Sequence, residues 1–300
     1  MSRLFVIGNG FDLSHELPTR FDLDFKNIAE SFEQNENFWA LYQTEKADIW
    51  SDFENCLGTP DFNSLEEIFE GYEPDYLSDH ESDRDAIITQ VDLNANLTEE
   101  LYAFAKQAET AINTTSPRSK YCDLFMPDDL FINFNYTHTL EILYHIHPKK
   151  VLHIHGEVGK DNLILGYPEG EYNPEKYYYD VRGKGTGPYA NLDFEEYIER
   201  EAENDSIDYY TYTAYTNLAQ KVRSFEKKYQ IDDLKEFIAG VNIEEIFVIG
   251  HSCAIDFPYF NILNNSYPNV QWNFHPYDEN TKECIIKMIR SVGIKYYRIG

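Results

Sequence analysis

Six short apolar runs constrain this chain more than any other feature: Arg3 to Ile7, Leu130 to Phe134, Val151 to Ile154, Leu163 to Leu165, Ile246 to Ile249 and Val270 to Phe274. Rich in Val, Ile, Leu and Phe and apolar on both faces, they read as strands of a parallel sheet covered on both sides. Four of them run straight into a polar or glycine motif: GNGFD after LFVI, NYT after FINF, HG after LHI, and GHS after IFVI. Loops at the carboxyl ends of strands converge on one crevice in an open parallel sheet, and that crevice is where such folds bind ligands. The four motifs are therefore expected to meet, and the fold class is α/β, a Rossmann-like parallel sheet with helical insertions.

No Ser, Gly or Pro-rich linker divides the chain, so residues 1–300 read as a single α/β domain carrying two insertions. The first, about 20–118, shows helical spacing at Leu97, Leu101, Phe104, Ala105 and Ala108. Thr98 is the expected N-cap there, with Glu99 and Glu100 in the first turn. The stretch from Asp61 to Glu100 holds thirteen acids against one base, Arg84, which reads as a solvated face. The second insertion, about 167–240, opens as a Gly- and Tyr-rich loop and turns helical through LDFEEYIEREAE and LAQKVRSFEKKYQIDDLKEFIAG, with Gly240 as a stop signal. The tyrosines clustered at Tyr177 to Tyr179 and Tyr209 to Tyr215 fit amphipathic packing better than base stacking.

Composition narrows the function. The 25 Lys+Arg against 53 Asp+Glu give a formal charge of −28, which repels phosphate backbones and anionic lipid, so neither direct nucleic-acid binding nor membrane binding is expected. The four cysteines form no CxxC pair, and no run approaches the length of a membrane span. A cytoplasmic protein is expected.

Gly8-Asn9-Gly10 would supply the tight turn and close backbone approach that a diphosphate needs, although Leu13 stands where a full dinucleotide fingerprint has its third glycine. Asp12 is suited to a ribose hydroxyl or to a helix cap. His153 and His155 share a face if their strand is regular and, with His138, His145 and His147, could ligate a metal. No HExxH-type spacing or carboxylate cluster accompanies them, and no metal is expected. The G-H-S element lacks the second glycine of a nucleophile elbow.

The segments VIGNGFDLSHELPTRF, WSDFENCL, FINFNYTHTLE, VLHIHGEV, LILG and FVIGHSCAIDFPYF together resemble the AbiH family of bacteriophage abortive-infection proteins. More distantly, the order Gly8-Asn9-Gly10, Leu17-Pro18, Asn135-Tyr136-Thr137, His155-Gly156 and Gly250-His251-Ser252 is similar to the sirtuin-like NAD-binding core. Thr137 stands where that pattern has Asp, Glu16 where it has Gly, and the zinc-binding cysteines of protein deacylases are missing. The resemblance implies hydrolysis of the nicotinamide–ribose bond of NAD, with Asn135, His155 and Asp12 as catalytic residues. It implies cofactor contacts from Gly8, Asn9, Gly10, Phe11, Pro18, Thr137, Gly156, Gly250, His251, Ser252 and Asp256. That chemistry needs acceptors around a ribose that gains oxocarbenium character, and a base such as an imidazole. For Asn135 a buried amide tying strand to helix, and for Asp256 a helix cap before Pro258, stand as equal alternatives. The expected ligand is NAD as substrate or another nucleotide, and a homo-oligomer or a defence-system protein is a possible partner. Two other readings stay open: a nucleotide-sensing module without turnover, and a metal-dependent nuclease or phosphohydrolase built on the histidines.

Overall fold

The computed structural model describes residues 2–32, 38–39, 42, 49–51, 53–60, 97–168, 217 and 220–300. The acidic stretch up to residue 96, both tyrosine clusters and the LDFEEYIEREAE helix lie outside the described residues. The chain divides into two compact units, one of residues 1–20, 98–165 and 228–300, the other of residues 21–97 and 166–227.

The first unit holds a parallel sheet of six strands: β1 (Ser2–Ile7), β2 (Leu130–Asn133), β3 (Val151–His153), β4 (Ile243–Ile249), β5 (Gln271–His275) and β6 (Tyr297–Ile299). Their order across the sheet is β3-β2-β1-β4-β5-β6, that of the doubly wound dinucleotide-binding folds. Each central strand alternates its side chains between two cores. Leu4, Val6, Leu130, Ile132, Ile246, Val248, Trp272 and Phe274 face one, which is covered by the helices Ile231–Ile238, Phe257–Ser266 and Glu279–Val292 through Leu234, Phe260, Leu263, Ile285 and Met288. Phe5, Ile7, Phe131 and Ile249 face the other, closed by Phe11, Tyr121 and Leu140. Period-two strands buried on both faces need this three-layer arrangement, because every side chain must find apolar company.

Five of the six apolar runs are strands. The sixth, Leu163 to Leu165, is not: it is half-buried and joins the body through a backbone bond from Ile164 N–H to His155 O (2.8 Å) rather than through a ladder. Three residues cannot nucleate pairing unless an edge is offered to them, and the edge beyond β3 is not used this way. Conversely β6, with the sequence YRI, carries two exposed residues out of three and pairs with β5 at the sheet edge, where no apolar pattern is demanded. Thr98 lies inside the helix Leu97–Ile112 instead of capping it. Gly240 does follow a helix end, Ile238 and Ala239, with a left-handed φ of +71°.

In the second unit, parts of the two insertions pack on each other. Phe38 meets Phe225 edge-on at 5.6 Å, Trp50 stacks on Phe53 at 5.4 Å, and Lys227, 1% exposed, pairs with Glu54 at 2.7 Å. Thus the WSDFENCL segment builds this unit's interior, with its glutamate neutralising a buried lysine.

Candidate functional site

Strand order reverses between β1 and β4, and the loops leaving these two strands interlock. Gly10 N–H donates to Gly250 O (2.8 Å) and Gly8 N–H to Ile249 O (2.9 Å). A Cβ on Gly8 would lie 2.5 Å from the His251 Cα, and one on Gly10 would lie 2.7 Å from the Gly250 Cα. The glycines expected to cradle a phosphate therefore have a second physical duty, which is to let two loops touch backbone to backbone. Gly156 is required in the same sense: at φ +84°, a Cβ there would lie 2.1 Å from Asn162 O.

Around this interlock the expected residues gather. The amide of Asn135 donates to Gly8 O (3.2 Å), and its backbone N–H donates to Asn133 Oδ1 (3.1 Å). No donor among the described residues reaches the Asn135 Oδ1. So Asn135 ties the end of β2 to Gly8, the N-cap of the helix Asn9–Ser14, the strand-to-helix link of its structural alternative, and it does so with its NH₂ alone, keeping an acceptor. Asn9 donates to Thr19 O (2.7 Å), fixing the Leu17-Pro18 turn beside β1. Phe11 lies fully buried in the core against Tyr121, while Ser252 is exposed.

The β3 and β4 loops bring three ionisable groups together. Asp256 lies with Oδ1 3.4 Å from His155 Nε2 and Oδ2 3.4 Å from His251 Nε2, ion-pair distances with all three side chains buried. Cys253 N–H donates to His251 Nδ1 (2.9 Å), so neutral His251 carries its proton on Nε2, toward the carboxylate. Phe134 packs edge-on against both rings, at 5.0 and 4.3 Å. Asp256 occupies the N-cap position of helix Phe257–Ser266, yet makes no side-chain capping bond. Its carboxylate is aimed at histidines.

Asp12 is fully buried and accepts from the Thr137 hydroxyl, which also lies 3.0 Å from Thr139 Oγ1. Its other oxygen, Oδ1, has no hydrogen-bond partner among the described residues. Burial pushes its pKa up to about 6, against the lowering effect of the threonine hydroxyls. Below the ordinary carboxylate pKa of 3.8 the group is protonated folded or unfolded. Between 3.8 and about 6 only the unfolded chain releases the proton, so this residue lowers stability progressively, by roughly 3 kcal/mol once pH exceeds 6. The Asp12→Asn chain should lose that segment of pH dependence. Melting temperatures recorded from pH 4 to 8 check this, and a mutant that falls in parallel with the wild type would refute it.

His153 and His155 do not share a site. The strand ends at His153 and the chain turns there, so the two imidazoles part. His153 Nε2 meets Glu141 Oε1 (2.9 Å), on the side where His138 lies between Glu109 (Nδ1 to Oε1, 2.9 Å) and Glu157 (Nε2 to Oε2, 2.8 Å). The Glu109 hydrogen bond, reinforced by Glu157, raises the His138 pKa to about 9 despite partial burial. His145 and His147 are exposed and take no part. Glu141 and Glu157 lie within FINFNYTHTLE and VLHIHGEV but at no spacing that pairs them with a histidine, and Glu109 stands in no motif. The one signal in the sequence was the number of histidines near NYT and HG. A separate cavity of about 450 Å³ opens by the amino ends of β2 and β3, between Phe125, Phe131, Tyr144 and Lys150.

No helix among the described residues is long and apolar enough to cross a membrane. No curated protein and no solved structure matches the chain. The family model described as "Bacteriophage abortive infection AbiH" matches residues 4–275, from β1 through β5 and so across every loop of the crevice. The chain belongs to the AbiH family of bacteriophage abortive-infection proteins.

Proposed function

We propose that this AbiH protein acts in abortive infection by hydrolysing the nicotinamide–ribose bond of NAD in the crevice at the carboxyl ends of β1 to β4. The observation that carries the reading is the carboxylate of Asp256 set 3.4 Å from the Nε2 of both His155 and His251, beside Asn135. A buried carboxylate facing an imidazole orients it and stabilises the imidazolium formed when it takes a proton, which is the part a general base needs. In the reaction the oxygen of water attacks the ribose C1′ as the C1′–N bond breaks. The bonding pair passes to the nicotinamide ring, cancelling its positive charge, and the water proton goes to His155. In this reading the Asn135 Oδ1, which no described donor reaches, accepts from a ribose hydroxyl as the sugar gains positive character. The strand order at the switch point is compatible with a dinucleotide lying across it.

The test is NAD consumption and nicotinamide release by the purified chain, alone and with infected-cell extract, beside Asn135→Ala and His155→Ala chains shown to be folded. Turnover lost in both variants supports the reading. Nucleotide bound without any product under every condition overturns it in favour of a sensing module.

A further inference from the structure

We propose that His138, His153 and Glu157 bind one divalent transition-metal ion of the zinc type at the carboxyl ends of β2 and β3. One ligand atom from each lies within 4.8 Å of those of the other two. Two imidazoles and one carboxylate are a donor set that zinc accepts with a fourth position open to water, whereas calcium and magnesium call for oxygen-rich shells.

The outer partners argue for more than a chance meeting of charges. Glu109 grips His138 twice, accepting from its backbone N–H at Oε2 (2.9 Å) and facing its Nδ1 with Oε1 (2.9 Å). That clamp leaves Nε2 directed at Glu157 Oε2, 2.8 Å away, and it is the carboxylate–histidine–metal arrangement that fixes ring orientation in metal sites. His153 has an oxygen at each ring nitrogen, Glu141 Oε1 at Nε2 (2.9 Å) and Asn135 O at Nδ1 (3.3 Å), so the metal displaces one of these contacts, and its ring lies 5.2 Å from that of His138. Glu141 supplies an independent sign: its side chain is only 10% exposed, and its Oε2 has no hydrogen-bond partner among the described residues. A buried carboxylate oxygen without a donor is a group that a nearby cation satisfies. Ligand atoms of a tetrahedral zinc site lie about 3.3 Å apart, as bonds of about 2.0–2.1 Å require. Separations of up to 4.8 Å must contract by at most about 1.5 Å and the 2.8 Å His138–Glu157 pair must open by about 0.5 Å, shifts within reach of side-chain rotation. On binding, the Nε2 proton of His138 passes to solvent and the metal takes its place against Glu157. The proposal runs against the expectation from sequence that no metal is held.

The inference stands apart from NAD cleavage, and its test reads the metal directly, so either can fail alone. The full chain is stripped with chelator, loaded with Zn²⁺ or Co²⁺ and dialysed. Retained metal is then counted, the visible absorption of the Co²⁺ form recorded and the Zn²⁺ dissociation constant measured. The expected result is one ion per chain with a tetrahedral Co²⁺ spectrum. Glu157→Gln and His153→Gln should each weaken binding by at least about 100-fold, and Glu109→Gln by about 10–100-fold. Glu279→Gln, on an 85%-exposed side chain, should bind as the wild type does. Zn²⁺ should also raise the melting temperature of the wild type and not that of Glu157→Gln, a half-buried, isosteric change that keeps the fold. No retained ion, or retention undiminished in both Glu157→Gln and His153→Gln, overturns the proposal and leaves only diffuse binding to an acidic surface.

Discussion

If the crevice hydrolyses NAD as proposed, replacing His155 by alanine should lower its turnover by about 10²–10⁴-fold, the range over which a positioned general base contributes. Asp256→Asn should produce a loss of the same kind. The amide keeps the shape of the carboxylate between His155 and His251 but carries no charge, so the imidazolium formed on proton transfer is no longer stabilised by an anion 3.4 Å away. Because both changes act on the chemical step, kcat should fall while KM stays near its wild-type value. Asn135→Ala differs: it removes the donor to Gly8 O as well as the Oδ1 acceptor, so both constants should move. Steady-state kinetics of the three variants, each compared with wild type by circular dichroism, separate these outcomes. An Asp256→Asn chain with unaltered kcat would remove the carboxylate from the reaction. A His155→Ala chain with wild-type turnover would place the base elsewhere.

Gly250→Ala destabilises the fold by about 2–5 kcal/mol, a large share of the stability of any domain. The residue sits at φ +65°, where an L side chain is strained, and a Cβ there would lie 2.4 Å from the backbone nitrogen of Phe11. Backbone atoms cannot rotate out of the way as a side chain does. Relief requires the β1 and β4 loops to part, which breaks the Gly10 to Gly250 hydrogen bond and shifts the crevice. Gly293 provides the control. It too has a left-handed φ, +78°, but nothing lies within 4 Å of its added Cβ, so Gly293→Ala should cost only the conformational strain, about 1–2 kcal/mol. Denaturant melts of the two variants measure the difference. Equal midpoints would mean that the interlock is looser than its geometry.

Much of the sheet was legible because its signal is local. Leu4 and Val6 against Phe5 and Ile7, and Ile246 and Val248 against Phe247 and Ile249, state in sequence that two faces are covered. Convergence of the four loops followed from the general geometry of parallel sheets. Where local rules ran out, the reading slipped. Leu163 to Leu165 is apolar enough for a strand, and Tyr297 to Ile299 is too polar, yet only the second finds an edge to pair with. His153 and His155 were expected on one face, but that holds only while the strand stays regular, and it ends at His153.

The site divides in the same way. Gly8, Asn135, His155 and Gly250 declare themselves by standing directly after apolar runs. No spacing announces that Asp256 serves two histidines, or that Glu109 grips His138 from a helix 29 residues away. By itself the sequence determined the strands and their polar ends, because steric preference and burial on two faces act between neighbours along the chain. Only the tertiary structure decided the strand order, the glycine interlock and the pairing of histidines with carboxylates. Those depend on which distant segments the packing of two cores brings within 3 to 4 Å, and hydrogen bonds and ion pairs act only over that distance.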